Sequence, residues 1–236
     1  MSEARDVSSM SPVDYSFEDG VATITLDDGK VNALSPTMLD EVLAALDRAE
    51  EDGAIVVLTG RAQTLSAGFD LKSLPEHPRE MLSGGARLAE RLLSFPQPVV
   101  AACNGNAIAM AAFVLLSCDV RIGVAGDFRI GLNEVAIGLT VPWFGIAVAR
   151  HRLARPYFDR CTVTGALLDP EEAVRAGFLD RLVAAEELMP AALEIASELR
   201  QLKLDAHRAT KMRIRAEVLD GVRDGIERIE SPDREW

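Results

Sequence analysis

Aromatic residues are scarce in this chain, 5% of 236, with two Trp and two Tyr. Positive charge is short as well: 25 Lys plus Arg stand against 37 Asp plus Glu, a formal net charge of −12. Phosphate neutralisation needs a basic face, so this balance argues against a nucleic-acid partner. An anionic ligand would have to be held by local positive groups, not by the overall field. Only three cysteines occur, Cys103, Cys118 and Cys161, far apart and in apolar segments. They suit neither a disulfide frame nor a zinc site, and read as buried thiols in a reducing, cytoplasmic compartment. His77, His151 and His207 have no Cys, Asp or His partner at metal-ligand spacing, and read as surface or helix-packing residues. No apolar run reaches the ~18 residues that span a bilayer, so no membrane partner is expected. The opening MSEARDVSSMS is polar and does not read as a signal peptide. No G-x-S-x-G, Walker or dinucleotide-type glycine pattern is present.

What is present is a large apolar fraction, 48%, enough for a sizeable core. Residues 1–12 read as a flexible leader. VATITL at 21–26 alternates as a β-strand does. Ser35-Pro36 opens a helix, with an N-cap hydroxyl and proline at the first helical position, and Gly53 closes it. AIVVLTG at 54–60 and PVVAACNG at 98–105 are buried strands ending in glycine, and 61–74 reads as a loop. A helix over 79–95 carries Gly84-Gly85 as a weak spot. An apolar helix spans 109–119, strands follow at 120–125 and 128–131, and a helix runs from Pro142 to about Leu153. Asp169, Pro170 and Gly177 frame a short helix, FLDRLV is a short strand, and helices over 185–202 and 205–230 close the chain. Strand-and-helix units through residue 140 are α/β logic, in which sites form beyond the carboxyl ends of strands. A subdomain boundary falls near residue 190.

Three stretches carry chemistry. LSAGFDLKSL at 65–74 has Ser66, Ala67 and Gly68, small enough for a tight bend against a ligand. Asp70 caps a short helix begun by Leu71–Leu74, leaving amides free to face an anion or a polarised carbonyl. Lys72 suits a phosphate. CNGNAIAMAAFVLLSCD at 103–119 turns from a strand into an apolar helix whose first N–H groups are unpaired. If it faces the first bend, two backbone donors converge on one oxygen. IGLNEVAIGL at 130–139 sets one carboxylate, Glu134, among apolar residues. Lost hydration raises a carboxyl pKa, which suits a general acid/base near neutral pH. The stretch alone also fits a surface Glu at a loop corner.

Together, in this order and spacing, the three stretches resemble the crotonase (enoyl-CoA hydratase/isomerase) superfamily, from VATITLDDGKVNALS to about residue 215. SAGFDLK is similar to the family's S/A-A-G-x-D-L/I-K bend. PVVAACNGNAIAMAAFVLLSCDVRIG is similar to its strand–turn–helix, and IGLNEVAIGL to its F-G-x-P-E-x-x-x-G segment. The resemblance implies an α/β fold, the ClpP/crotonase spiral of ββα units, over 13–190. A helical C-terminal region over 191–236 would follow, in a homotrimer or a dimer of trimers. It implies an acyl-coenzyme A substrate and no separate cofactor, coenzyme A being part of the substrate. The amides of Phe69 and Met110 would polarise the thioester carbonyl. Lys30, Val31 and Ala33, with Ser66, Ala67, Gly68, Asp70, Leu71 and Lys72, would lie along coenzyme A. Phe113 would line the acyl pocket, and Trp143 would be among the substrate-binding residues.

Two departures from the family pattern carry information. Hydratases of the family use two glutamates to hold water; one matches Glu134, but the other position is Phe113, which cannot orient water. IGLNE followed by VPWF at 141–144 looks more like the single-glutamate delta-3, delta-2-enoyl-CoA isomerases. Ala109-Met110-Ala111 stands where the family has mostly glycines, and a backbone amide survives any side chain except proline's.

Overall fold

The structure, a computed structural model, describes residues 11–61 and 63–231; the expected leader lies, for residues 1–10, outside them. β1 (Val13–Glu18) and β2 (Val21–Leu26) form an antiparallel hairpin in which Glu18 faces Val21. α1 (Pro36–Glu51) follows, and its Ser35 Oγ accepts from Met38 N at 3.2 Å, the cap that the Ser-Pro pair predicts. β3 (Ile55–Gly60) then pairs parallel to β2. Every residue of β3 is buried, as the unbroken apolar run requires of a strand covered on both faces.

From there the chain repeats one manoeuvre. A strand of the main sheet hands over to a strand of a second, smaller sheet, and in the first two turns a helix returns. β3 passes to β4 (Gln63–Ser66) and α2 (Pro78–Ser94). β5 (Val99–Cys103) passes to β6 (Gly105–Ile108) and α3 (Met110–Ser117). β7 (Val120–Val124) passes to β8 (Ile130–Gly131). Then come α4 (Trp143–Arg152), α5 (Arg155–Val163), β9 (Leu167–Leu168), α6 (Pro170–Ala176) and β10 (Arg181–Val183). Among the described residues the main sheet has the order β1-β2-β3-β5-β7-β10 and the second β4-β6-β8-β9. This is the spiral that the resemblance implies.

The closing helices are α7 (Leu188–Leu199), α8 (Leu204–Ile214) and α9 (Ala216–Glu230). α7 covers the main sheet, with Ala192 and Ala196 buried beside Ile55, Val57 and Val100. α9 lies against α2 and α4, burying Val218, Val222 and Ile226. The main core lies between the other face of the sheet and α1–α4, around Ile24, Leu58, Phe95 and Phe144.

Four sequence expectations differ from what the chain does. β4 runs through a stretch read as loop and β6 through residues between the expected strand and helix, because each is short and paired within a sheet that local pattern does not reveal. α5 and β9 occupy a span left unassigned. Residues 71–76 form turns in place of the helix expected to start at Leu71. The single helix expected over 205–230 breaks at Arg215 (φ −101°, ψ 4°), whose side chain reaches inward to Leu93 O and the Asp119 carboxylate.

Candidate active site

The site assembles where three turns of the spiral meet. After β4 the backbone bends at Gly68, with φ of +89°. A Cβ there would lie 2.7 Å from Ile108 O and 3.4 Å from Met110 N, so only bare backbone lets this bend lie against the start of α3. Ser66 braces the bend from inside: its hydroxyl donates to Asn32 O at 2.6 Å and accepts from Gly68 N at 3.1 Å. Leu34 N donates to Gly68 O at 2.8 Å and Asp70 N to Leu34 O at 3.2 Å. This single parallel bridge turns the N–H of Phe69, between them, away from Leu34.

The second donor stands at the head of α3. Met110 is its first residue, where an N–H has no intrahelical acceptor. Ala109 precedes it at φ +53°, ψ −120°, a conformation that L-residues adopt only under strain, and it offers no side-chain cap. The burden of the tight turn thus falls on Ala109. Met110 is helical and wholly buried, and Ala109 rather than Met110 reaches the cavity wall.

Glu134 comes from the third turn. It precedes a short 3₁₀ turn, Val135–Ile137, and its backbone C=O accepts from Ile137 N and Leu139 N at 3.1 and 2.9 Å. These bonds hold the residue while its carboxyl turns inward, leaving Glu134 only 7% exposed. Oε2 is buried with no hydrogen-bond partner among the described residues. Burial pushes the carboxyl up to about 7, partly opposed by its own backbone N–H.

Phe69, Ala109 and Glu134 line one cavity of about 550 Å³. Leu71, Leu74, Leu82, Phe113, Ile137 and Leu139 supply most of the remaining wall. Among the described residues that line it, Glu134 is the sole ionisable group. Phe113 is buried and packs edge-on against Phe144, ring centroids 5.8 Å apart.

The sequence-predicted residues fall into three sets. Phe69, Ala67, Leu71, Phe113 and Glu134 share the cavity. Lys30, Val31, Ala33, Asp70 and Lys72 line a separate concavity of about 360 Å³, between the loop after β2 and the bend after β4. The Asp70 carboxylate accepts from Lys72 N and Ser73 Oγ at 3.1 and 2.6 Å. It therefore caps a turn and not the helix expected there. The third set is off the cavity wall. Gly68 and Met110 are buried behind the wall, Ser66 is committed to backbone bracing, and Trp143, expected to touch the substrate, is half-exposed under the Arg228 guanidinium, 4.8 Å away. The wall takes Pro142 in its place. Sequence reasoning missed Leu74, Pro75, Pro78 and Leu82, which belong to the turn before α2 and its first turns. The apolar residues flanking His77 are their only local signal. It also passed over Asn133, beside Glu134, whose Oδ1 is buried without a partner.

With this geometry in view, the likenesses to known proteins are informative. The family model described as enoyl-CoA hydratase/isomerase matches residues 16–227. An enoyl-CoA hydratase/isomerase family protein from Pseudomonas syringae is 48% identical, with TM-score 0.90, over 92% of this chain and 95% of that one. An enoyl-CoA isomerase from Mycobacterium tuberculosis, in its apo form, is 44% identical, with TM-score 0.90, over 93% and 97%. An enoyl-CoA hydratase from Mycobacterium marinum is 42% identical, also at TM-score 0.90, over 94% and 99%. Both activity names occur among the relatives, and the spiral is common to them. Matched over most of its length in sequence and in fold, the chain belongs to the enoyl-CoA hydratase/isomerase, or crotonase, family.

Proposed function

We propose that the protein isomerises 3-enoyl-CoA thioesters to 2-enoyl-CoA thioesters. The observation that carries this reading is one buried carboxyl, Glu134, whose Oε2 has no hydrogen-bond partner, in a cavity whose remaining described lining is uncharged. The Glu134 carboxylate removes a proton from C2, and the C2–H electron pair moves into the conjugated enolate. The same carboxyl returns the proton to C4, leaving the double bond between C2 and C3. The amides of Phe69 and Met110 donate to the thioester oxygen as it gains charge. A pKa near 7 lets one group both take and give the proton near neutral pH. Phe113 fills the position where hydratases of the family carry a second glutamate, and its ring keeps water from C3.

Lys30 and Lys72 border the second concavity and supply local positive charge for the phosphates of coenzyme A. The cavity walls favour hydrocarbon acyl chains, because a carboxyl-terminated chain would be buried there without a counter-charge. The reading includes a homotrimer or a dimer of trimers. Val135, Ile137, Leu139 and Val163 leave apolar surface exposed around a groove beside the Glu134 turn, which subunit contact would cover. Sedimentation equilibrium is expected to give a multiple of three protomers, and a monomer would reject that part.

Product analysis with 3-enoyl-CoA and 2-enoyl-CoA tests the chemistry. Isomerisation is expected to exceed water addition and to be lost in Glu134→Gln. Rapid hydration of 2-enoyl-CoA would instead indicate a hydratase with a non-standard second acid. Acyl-CoA binding without turnover, unaffected by Glu134→Gln, would indicate a non-catalytic binding protein.

A further inference from the structure

Phe69 and Met110 come from different turns of the spiral, yet their side chains end at one point, Gly85 on α2. A Cβ built on Gly85 would lie 2.5 Å from Phe69 Cζ, 2.9 Å from Phe69 Cε1 and 3.0 Å from Met110 Sδ. Contacts that short force the ring, the thioether or the helix to move. On their other side the same two segments touch through backbone, where Gly68 lies against Ile108 and Met110. The two residues are thus set between a backbone contact at Gly68 and a side-chain contact at Gly85. Helix propensity runs the other way: in a helix interior, glycine is about 1 kcal/mol less favourable than alanine. Gly84, next along the helix, differs. A Cβ there would meet only Leu39, at 3.1 Å from its Cδ1, the mobile end of an aliphatic side chain.

We infer that Gly85 is a positioning residue for the pair of amide donors. Its bare backbone lets the Phe69 ring and the Met110 thioether seat together, and so sets the direction of both N–H groups at once. The inference rests on the reading of those amides as donors to the thioester oxygen. Gly85 does not line the cavity. A methyl group there displaces Phe69, Met110 or both, and misplacement of about 1 Å in such a site costs about 100-fold in rate.

The test reads the donors directly. Infrared spectra of bound acyl-CoA, carbon-13-labelled at the thioester carbonyl, are compared for wild type, Gly85→Ala, Gly84→Ala and Glu134→Gln. Wild type is expected to lower the carbonyl stretch relative to free acyl-CoA, and Glu134→Gln and Gly84→Ala to keep that shift. Gly85→Ala is expected to lose most of it, with acyl-CoA affinity within about threefold of wild type and kcat at least tenfold lower. Phe69→Leu removes Cε1 and Cζ, the closer of the clashing atoms, so Gly85→Ala in the Phe69→Leu background is expected to cost less than threefold in kcat. That pair also decides the matter if Gly85→Ala alone does not fold. Full retention of the shift in Gly85→Ala, or an equal kcat loss with and without Phe69→Leu, overturns the inference. So does a wild type that leaves the carbonyl unshifted. Failure of the isomerase reading shows separately, as wild-type protein that lowers the carbonyl stretch but does not move the double bond.

Discussion

Glu134 and Asp119 are both carboxylates drawn into the interior, and their surroundings are opposite. Asp119 Oδ2 accepts from Lys211 Nζ at 2.7 Å and from Val99 N at 2.8 Å, and Oδ1 faces Arg215 Nη2 at 2.8 Å. Lys211 and Arg215, each 3% exposed, spend further donors on Gln97 O and Leu93 O. Burial pulls both cations below their ordinary pKa, and the Asp119 charge resists that pull. Glu134 has no cation beside it and an Oε2 with no partner. A buried acid with partners ties elements together, here β5, the start of β7, α8 and the residue between α8 and α9. A buried acid without partners keeps its proton near neutral pH and is free to exchange it.

Substitutions at these positions blur the contrast to different degrees. Glu134→Gln removes the proposed proton carrier, and isomerisation is expected to fall at least about 10³-fold with the fold intact, measured by steady-state kinetics and circular dichroism. In wild type, kcat/KM is expected to drop about tenfold per unit as pH falls below about 7, because the free enzyme must present the carboxylate. A profile flat down to pH 5 would contradict the raised pKa.

Asp119→Ala strands Lys211 and Arg215 as buried, uncompensated cations. The expected loss of unfolding free energy is about 3–5 kcal/mol, read from the denaturant midpoint. Little change would mean that the two cations find other partners or water.

The opposite sign is expected when Glu134 is neutralised. Its folded pKa, about 7, lies above the ordinary 4.5, so its proton-linked stabilisation is complete below 4.5 and lost as pH rises through 7. Glu134→Gln stays neutral throughout. It is expected to match wild type near pH 4 and to be more stable at pH 8, by on the order of 2–3 kcal/mol. Equal stability at pH 8 would place the wild-type carboxylate in solvent. The smallest effect concerns the donors: Ala109→Gly relieves the positive φ and is expected to stabilise by about 1 kcal/mol.

Much of the fold is legible locally because its signals are local. The Ser35-Pro36 start, the buried run of β3 and the Asp169–Gly177 frame each depend on residues within one element. β4, β6 and β9 depend on partners far along the chain and are four residues long or fewer, too short for periodicity to speak. The break at Arg215 is illegible for a related reason, since it follows from a carboxylate nearly a hundred residues away. At the site, Glu134 stands out as a lone charge in an apolar run. For Trp143 the local pattern does not reveal that its neighbour Pro142 takes the cavity wall while its ring lies under Arg228. Gly85 reads locally as a helix defect, and only the packing of two remote side chains against it gives it a purpose.

The order of residues alone settled which groups are available: a bend of small residues, an apolar helix start, a single acid and a phenylalanine. Folding settled how those groups meet. It wraps three turns of the spiral so that the bend, the helix start and the acid border one cavity, and it assigns the strained dihedral to Ala109 rather than Met110. The physical reason is range. Side-chain chemistry and backbone propensity act over a few residues, whereas desolvation of Glu134 and the meeting of the bend with the start of α3 arise only when distant segments pack together.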